Sequence, residues 1–158
     1  RLRSHGMADR QTIEEWGLVS RMDTLQAAIL SYRLDALPDV IAKRRANAAL
    51  YQGLLRHERV FVPPCRNEEF NTFHTFVIQV DRRDELQAYL KQCGIKTAIH
   101  YPIPIHLQPA ARGLGHGKGD FPATERQADR ILTLPVNQYM SRADVEAVAG
   151  EVLAFLDR

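Results

Sequence analysis

The sequence contains little that could cross-link the chain or attach it to a membrane. Its two cysteines, Cys65 and Cys93, form no C-x-x-C pair, so we assign them no chemistry and expect a reducing compartment. No apolar run approaches the roughly 20 residues that span a bilayer, and the basic N-terminus lacks the apolar core of a signal peptide. The 21 basic and 19 acidic side chains are spread along the chain, so no polybasic track indicates nucleic acid or a membrane surface. These absences predict a cytoplasmic protein.

Familiar catalytic motifs are missing as well. The chain has no G-x-S-x-G, no P-loop and no H-E-x-x-H. The glycines of "GLGHGKGD", residues 113–120, recur at every second position, do not have the G-x-G-x-x-G spacing and follow no predicted strand. They therefore predict a surface loop rather than a dinucleotide site. No single motif supplies a self-sufficient active site.

The composition is that of one globular α+β unit, with 45% hydrophobic and 25% charged residues among 158. Ser20 and Asp23 resemble a capping box, which predicts a helix from Ser20 that Pro38 kinks or restarts. The apolar positions that recur at helical spacing in its first part are Met22, Leu25, Ile29, Tyr32 and Ala36.

The remainder of the chain alternates short strands with helices. We predict strands in "TFHTFVIQVD", "IKTAIH" and "TLPV", the first two lying near each other across a strand–helix–strand unit. We predict one helix that ends at Gly94, one that begins near Pro122 and one that begins at Ser141, where Ser141 and Asp144 repeat the capping pattern. No internal repeat or linker interrupts this order.

Residues 94–109, "GIKTAIHYPIPIHLQP", form the most unusual stretch of the chain. Three prolines there forbid regular hydrogen bonding and fix φ, so the chain leaves the sheet edge in an extended path. His100, Tyr101, His106 and Gln108 offer donors, acceptors and a flat ring that suit sugar hydroxyls, a diphosphate or a base. A half-buried structural role for the His-Tyr pair is the alternative. A metal site built from His100, His106, His116 and Asp120 is not favoured, because the spacing fits no ligand motif.

Four stretches in order resemble one family. They are "RSHG", "GLVSRMDTLQAAIL", "GIKTAIHYPIPIHLQP" and "GDFPATERQADRILTLPVNQ". Together they are similar to the C-terminal portion of the DegT/DnrJ/EryC1/StrS family of pyridoxal-phosphate-dependent nucleotide-sugar aminotransferases. The resemblance implies an α+β fold, namely the small C-terminal domain of a fold-type-I (aspartate aminotransferase-like) enzyme, with a small, mostly antiparallel sheet packed with helices.

The resemblance also implies the chemistry. An amino acid, commonly glutamate, would give its amino group through pyridoxal phosphate to a keto-sugar nucleotide used for O-antigen, capsule or antibiotic sugars. The Schiff-base lysine would lie upstream of "RSHG", in a large domain that we expect to be absent from these residues. Lys43, Lys91, Lys96 and Lys118 lie downstream of that point and do not inherit the role. We therefore assign no catalytic residue to this chain, which alone should be inactive and should not bind the cofactor.

Residue by residue, the resemblance implies four substrate-binding positions. Arg21 matches the arginine of the family's Gly-x-Asn-x-Arg pattern, whose Asn and Arg reach the neighbouring subunit's site. Gly17 also matches, but Val19 stands at the Asn position and cannot donate to a phosphate, so we assign no cofactor-binding residue. His100 and Tyr101 match the His-Tyr-Pro that lines the nucleotide-sugar pocket, and His106 matches a histidine of the same loop. His5 of "RSHG" is interpreted as structural.

These interpretations predict one α+β unit with two parts, a linking arm and long helices over 1–56 and the small domain over 57–158. The predicted partners are a nucleotide-sugar substrate, an amino-acid donor and a second copy of the chain in a homodimer, with no nucleic acid, membrane or metal. The alternative is a non-catalytic small-molecule-binding or oligomerisation module that keeps the fold without the reaction.

Overall fold

The computed structural model describes Ala8, Thr12, residues 18–66 and residues 68–158. His5 and Gly17 lie outside the described residues. The chain divides into two compact units, Arg1–Pro38 and Asp39–Arg158. The sequence placed a boundary at 56 instead. The two differ because the helix after Pro38 contributes buried side chains, Ala48 and Tyr51, to the core of the second unit.

In the first unit, helix α1 covers Thr24–Leu34. The predicted start at Ser20 is wrong by one turn, since Asp23 is the N-cap residue and its N–H donates to Gln26 Oε1 at 3.3 Å. Asp followed three residues later by Gln is itself a capping pattern, and it prevails over the Ser20 pattern. No residue of α1 is buried, so its apolar positions lie on the surface of this unit.

The second unit is built around a small antiparallel sheet. After α2, Leu37–Leu54, come β1, Phe76–Gln79, and α3, Arg83–Gln92. Two 3-10 helices, Ile105–Leu107 and Pro109–Leu114, lead to α4, Pro122–Arg130, then β2, Ile131–Leu134, and α5, Arg142–Leu156. Strands β1 and β2 pair from Phe76 with Leu134 to Gln79 with Ile131.

The second predicted strand, residues 95–100, is reduced to one bridge between Ala98 and Thr133. A second single bridge joins Phe61 to Gln79 on the other edge of the sheet. Strand β2 therefore lies between β1 and the 95–100 segment, so the two segments that the sequence placed near each other flank β2 and do not pair with each other. The chain nevertheless leaves the sheet at an edge just before His100.

The local helix signals are confirmed. Helix α3 ends before Gly94, whose φ of +77° is the left-handed conformation that favours glycine. The N-cap Ser141 of α5 exchanges hydrogen bonds with Asp144, since Ser141 N–H donates to Asp144 Oδ2 at 2.8 Å and Asp144 N–H donates to Ser141 Oγ at 3.2 Å. Helix α2 restarts at Leu37 with Pro38 in its first turn.

The core fills the space between the sheet and helices α2, α3 and α5. Its fully buried large side chains are Tyr51, Ile78, Val80, Leu86, Leu90, Leu132, Leu134, Val145 and Val152. The buried Arg83 joins α3 to the α4–β2 junction, because its Nη1 donates to the carbonyls of Ala128 at 3.1 Å and Ile131 at 3.0 Å. These contacts hold α4 and β2 in the positions from which they support the site. None of the helices described here is long and apolar enough to cross a bilayer.

Candidate functional site

His100 lies where the chain leaves the sheet. Its Nδ1 is 2.9 Å from the hydroxyl oxygen of Thr133 in β2, and its ring meets the Tyr101 ring edge to face at 5.5 Å between centroids. The peptide bond between His100 and Tyr101 is cis. The residue remains exposed, and its Nε2 has no hydrogen-bond partner among the described residues. One ring nitrogen thus fixes the imidazole while the other stays available to a ligand.

Tyr101 is 74% exposed, and nothing in the described part of the chain hydrogen-bonds to its hydroxyl. The next apolar side chains of the segment, Ile103 and Ile105, are also exposed, at 49% and 84%. Pro102 and Pro104 alternate with these side chains and fix φ. The chain bends at Pro102 and Ile103, so the predicted extended path is not kept there. The segment therefore presents a phenol and two aliphatic side chains to the surroundings on a stiff backbone.

His106, in the first 3-10 helix, closes the same segment. Its side chain is only 8% exposed, and its Nε2 is 3.0 Å from Glu125 Oε1. The ring of Phe121 packs against it at 4.7 Å between centroids. Of the three predicted residues brought together here, His100 and Tyr101 face outwards and His106 is largely enclosed.

The glycine-rich loop after the second 3-10 helix is exposed, as its sequence predicted, and two carboxylates order it. Asp120 Oδ2 accepts from the Gly117 N–H at 2.9 Å and lies 3.5 Å from His116 Nδ1, while Glu125 Oε1 accepts from the Gly119 N–H at 2.8 Å. The hydrogen bond from Gly119 is the main cause that lowers the pKa of Glu125, and the bond from Gly117 lowers that of Asp120. Within the described ranges no group of three His, Cys, Asp or Glu side chains could hold a metal ion.

Two residues of the site were missed by the sequence reasoning, Thr133 and Glu125. Thr133 is a buried hydroxyl in an otherwise apolar strand, and it becomes the partner of His100. Glu125 lies in the first turn of α4, where a carboxylate is explained by its favourable interaction with the helix N-terminus alone. The signal that could have singled out Thr133 is a polar residue within an apolar strand, and no comparable signal marks Glu125.

Arg21 belongs to the first unit, where it is exposed. There it lines an open depression of about 470 Å³ together with Met22, Gln26, Ile29 and Leu30. A guanidinium above aliphatic side chains can bind a phosphate or carboxylate through two parallel N–H groups.

The described residues do not fit a pyridoxal phosphate site. Lys43, Lys91, Lys96 and Lys118 are the lysines of the chain, and all four are exposed, without the desolvated surroundings that a Schiff-base lysine needs. Val19, at the position of the phosphate-binding Asn, is 61% exposed and offers no side-chain donor.

Another cleft lies in the second unit, between α3 and the segment that follows it. It measures about 640 Å³ and is lined by Asp84, Gln87, Ala88, Lys91, Gly94, Ile95, Lys96 and Thr97. Its two lysines could attract an anion, which makes it the competitor of the His100 region for a phosphorylated ligand.

Comparison with known proteins supports the resemblance. The model of the DegT/DnrJ/EryC1/StrS aminotransferase family matches residues 1–153. The chain is 34% identical over 158 residues to the dTDP-3-amino-3,4,6-trideoxy-alpha-D-glucose transaminase of Streptomyces venezuelae, covering 99% of this chain and 42% of that protein. It is 32% identical over 146 residues to the UDP-2-acetamido-2-deoxy-3-oxo-D-glucuronate aminotransferase of Pseudomonas aeruginosa, covering 92% and 40%.

Solved structures of aminotransferases have the same fold as this chain. The crystal structure of S. venezuelae DesV in complex with a ketimine intermediate has a TM-score of 0.92 and 34% identity, over 99% of this chain and 43% of that one. An aminotransferase of the family from Brucella abortus has a TM-score of 0.90 and 31% identity, over 99% and 42%. The chain thus spans less than half the length of the relatives it matches. By its sequence over 1–153 and by its fold, this chain belongs to the DegT/DnrJ/EryC1/StrS aminotransferase family.

Proposed function

We propose that this chain is the part of a nucleotide-sugar aminotransferase that binds the sugar nucleotide. In the reaction, an amino acid such as glutamate would supply the amino group that replaces the keto oxygen of a sugar linked to a nucleoside diphosphate. The observation that carries the proposal is the exposed His100–Tyr101 pair on a proline-stiffened segment, in a chain that matches sugar aminotransferases along nearly its whole length. Products of this kind enter surface polysaccharides or antibiotic sugars.

His100 and Tyr101 would provide the direct contacts. The free Nε2 of His100 can donate to or accept from a sugar hydroxyl or a phosphate oxygen, and the Tyr101 phenol adds a hydroxyl and a flat ring. His106 has Nε2 committed to Glu125, so a contact with the substrate falls to its Nδ1. Arg21 would bind a phosphate or carboxylate, in the site of a neighbouring subunit as in the family pattern.

Pyridoxal phosphate, when bound, would supply the electron sink of the reaction. We propose that the lysine and most of the groups that hold it come from sequence outside these residues, in the longer proteins of the family. We also propose a homodimer in the cytoplasm. Exposed apolar side chains of α1, among them Leu25, Ile29 and Tyr32, support a partner there, because a lone surface helix rarely leaves so many uncovered.

The test is transamination by the protein as its gene encodes it. The protein is incubated with pyridoxal phosphate, glutamate and a panel of dTDP- and UDP-linked keto-sugars, and mass spectrometry detects an amino sugar nucleotide. We expect Tyr101→Phe to raise KM for the sugar nucleotide roughly three- to tenfold, the worth of one hydrogen bond. The matched control is Tyr139→Phe, an equally exposed phenol at 85%.

Absence of an amino sugar product with the whole panel would overturn the proposal. Retained binding of the nucleotide sugar without turnover would instead favour the non-catalytic binding module. Sedimentation of an active protein as a monomer would refute the homodimer.

A further inference from the structure

Glu125 joins two distant points of the chain with one oxygen atom. Its Oε1 accepts from His106 Nε2 at 3.0 Å and from the Gly119 N–H at 2.8 Å. The carboxylate is only 16% exposed. The loop between residues 106 and 119, which contains the second 3-10 helix and the glycines at 113, 115 and 117, is thereby closed at both ends by a single side chain.

The helix that carries Glu125 is held in place by the core. Glu125 lies in α4, and α4 is joined to α3 by the buried Arg83, which donates to the carbonyls of Ala128 and Ile131. Ala128 itself is 6% exposed and packs in the core. The position of Glu125 is therefore set by the core and not by the loop that it holds.

A short, stiff path leads from His106 back to Tyr101. The N–H of Leu107 donates to the Pro104 carbonyl at 3.0 Å, and the Gln108 side chain donates to the Ile103 carbonyl at 3.3 Å. At the other end, His100 bonds Thr133 in β2. Residues 101–105 are thus held from both sides, with Pro102 and Pro104 limiting what the backbone between can do.

We propose that Glu125 is a positioning residue: by holding His106 and Gly119 together it fixes residues 100–106, and with them the Tyr101 phenol. Its effect on substrate rests on the proposed function, whereas its effect on the segment does not. A misplacement of about 1 Å at a binding group can cost up to a hundredfold in rate, so the holding residue matters although it touches no ligand.

The arrangement depends on the charge of Glu125. An ionised carboxylate accepts from both donors, but a protonated one gains a donor of its own and competes with them. The titratable group that faces it directly is His106, and the His116–Asp120 pair lies beside the same Phe121 ring. Because its hydrogen bonds lower the pKa of Glu125 from 4.5, the loop should stay closed at neutral pH and open as pH falls through that lowered value.

The test is NMR of the protein labelled selectively with ¹⁵N-tyrosine and ¹⁵N-glycine. Selective labelling keeps the spectrum simple, so the Tyr101 and Gly119 amide signals can be followed whatever the length of the protein. In the wild type both amides should shift together with one midpoint below pH 4.5. Glu125→Gln keeps the acceptor oxygen, so both amides should keep near-native shifts at pH 7 and lose that titration. Glu125→Ala should move both amides at pH 7, and it should speed hydrogen exchange at Gly119, whose N–H loses its acceptor, on the order of tenfold. Glu146→Gln, which breaks only an exposed pair with Arg142, is the control and should change neither amide.

The inference is overturned if the Tyr101 amide in Glu125→Ala keeps its wild-type shift while the Gly119 amide moves. It is equally overturned if that amide still titrates with the wild-type midpoint in Glu125→Gln, a result that stands even where the alanine variant fails to fold. In the transamination assay, Glu125→Ala should raise KM for the sugar nucleotide more than it lowers kcat. Should the wild type not bind a sugar nucleotide at all, the proposed function fails, while the two amides still decide the role of Glu125.

Discussion

The removal of one buried hydroxyl, Tyr51→Phe, tests how α2 is joined to the rest of the second unit. Tyr51 is fully buried, and its hydroxyl donates to the Pro135 carbonyl at 3.0 Å, just after β2. The Tyr51 ring stacks on Phe76 at 4.9 Å between centroids, and phenylalanine keeps that ring, so the packing is conserved. The substitution therefore isolates one hydrogen bond across 84 positions of sequence.

The expected cost follows from the acceptor that remains. A buried carbonyl left without its donor costs about 1–3 kcal/mol of the free energy of unfolding. For a chain of this length, each kcal/mol lowers Tm by roughly 2–4 °C. The exposed Tyr139→Phe removes the same atom without a partner and should lie within about 0.5 kcal/mol of the wild type.

The assay is urea unfolding followed by far-UV circular dichroism, with the midpoint lowered and the slope unchanged. Burial, and then the charge of Asp144, raise the pKa of Tyr51 above its usual 10.0. A group whose pKa is raised by folding stabilises the protein fully below the unfolded value and loses that contribution as pH rises above it. The stability difference between wild type and Tyr51→Phe should therefore shrink above pH 10. Equal midpoints for Tyr51→Phe and the wild type at pH 7 would refute the reasoning.

Four further substitutions concern the helices and the core, and each is checked by the same unfolding experiment. Gly150→Ala should stabilise by up to about 1 kcal/mol, since Gly150 is exposed within α5 and a new Cβ meets nothing within 4 Å. Gly94→Ala should destabilise by roughly 1–2 kcal/mol, because open space does not relieve a φ of +77°; equal effects of the two glycine changes would contradict this account. Ser141→Ala should cost about 1 kcal/mol of the free energy of unfolding through loss of the α5 cap. The Ser141 N–H lowers the pKa of Asp144 from 3.8, so the stability that this carboxylate still contributes in the variant should be lost as pH falls through the lowered value. Leu132→Ala should cost about 2–5 kcal/mol, as Leu132 is wholly buried, and a smaller loss than for Ser141→Ala would mean that the core lies elsewhere.

The sequence predicts well those features that depend on near neighbours. The cap of α5 and the left-handed Gly94 are decided within four residues, and both are confirmed. The same local reasoning misplaces the start of α1, because Ser20 and Asp23 offer overlapping capping patterns and only the second is used. The 95–100 segment has strand-like residues, yet its pairing is decided by β2, and one bridge to Thr133 is all it forms.

The surroundings of the candidate site residues could be predicted only in part, for the same reason. The prolines and aromatic residues of 94–109 predict a stiff segment where the chain leaves the sheet, and His100 and Tyr101 are exposed in that segment. What the sequence could not give is the set of partners that hold them. Thr133 lies 33 positions from His100, and Glu125 lies 19 positions from His106, so these contacts appear only once the chain has folded.

The most direct measurement of the central claim is a titration of the protein, labelled with ¹⁵N-tyrosine and ¹⁵N-threonine, with dTDP-glucose. We expect the Tyr101 amide to shift most, the exposed Tyr139 amide to stay unchanged, and the Thr97 amide in the cleft beside α3 to move little. A largest shift at Thr97, or saturation without any change at Tyr101, would contradict the claim that residues 100–106 hold the sugar nucleotide.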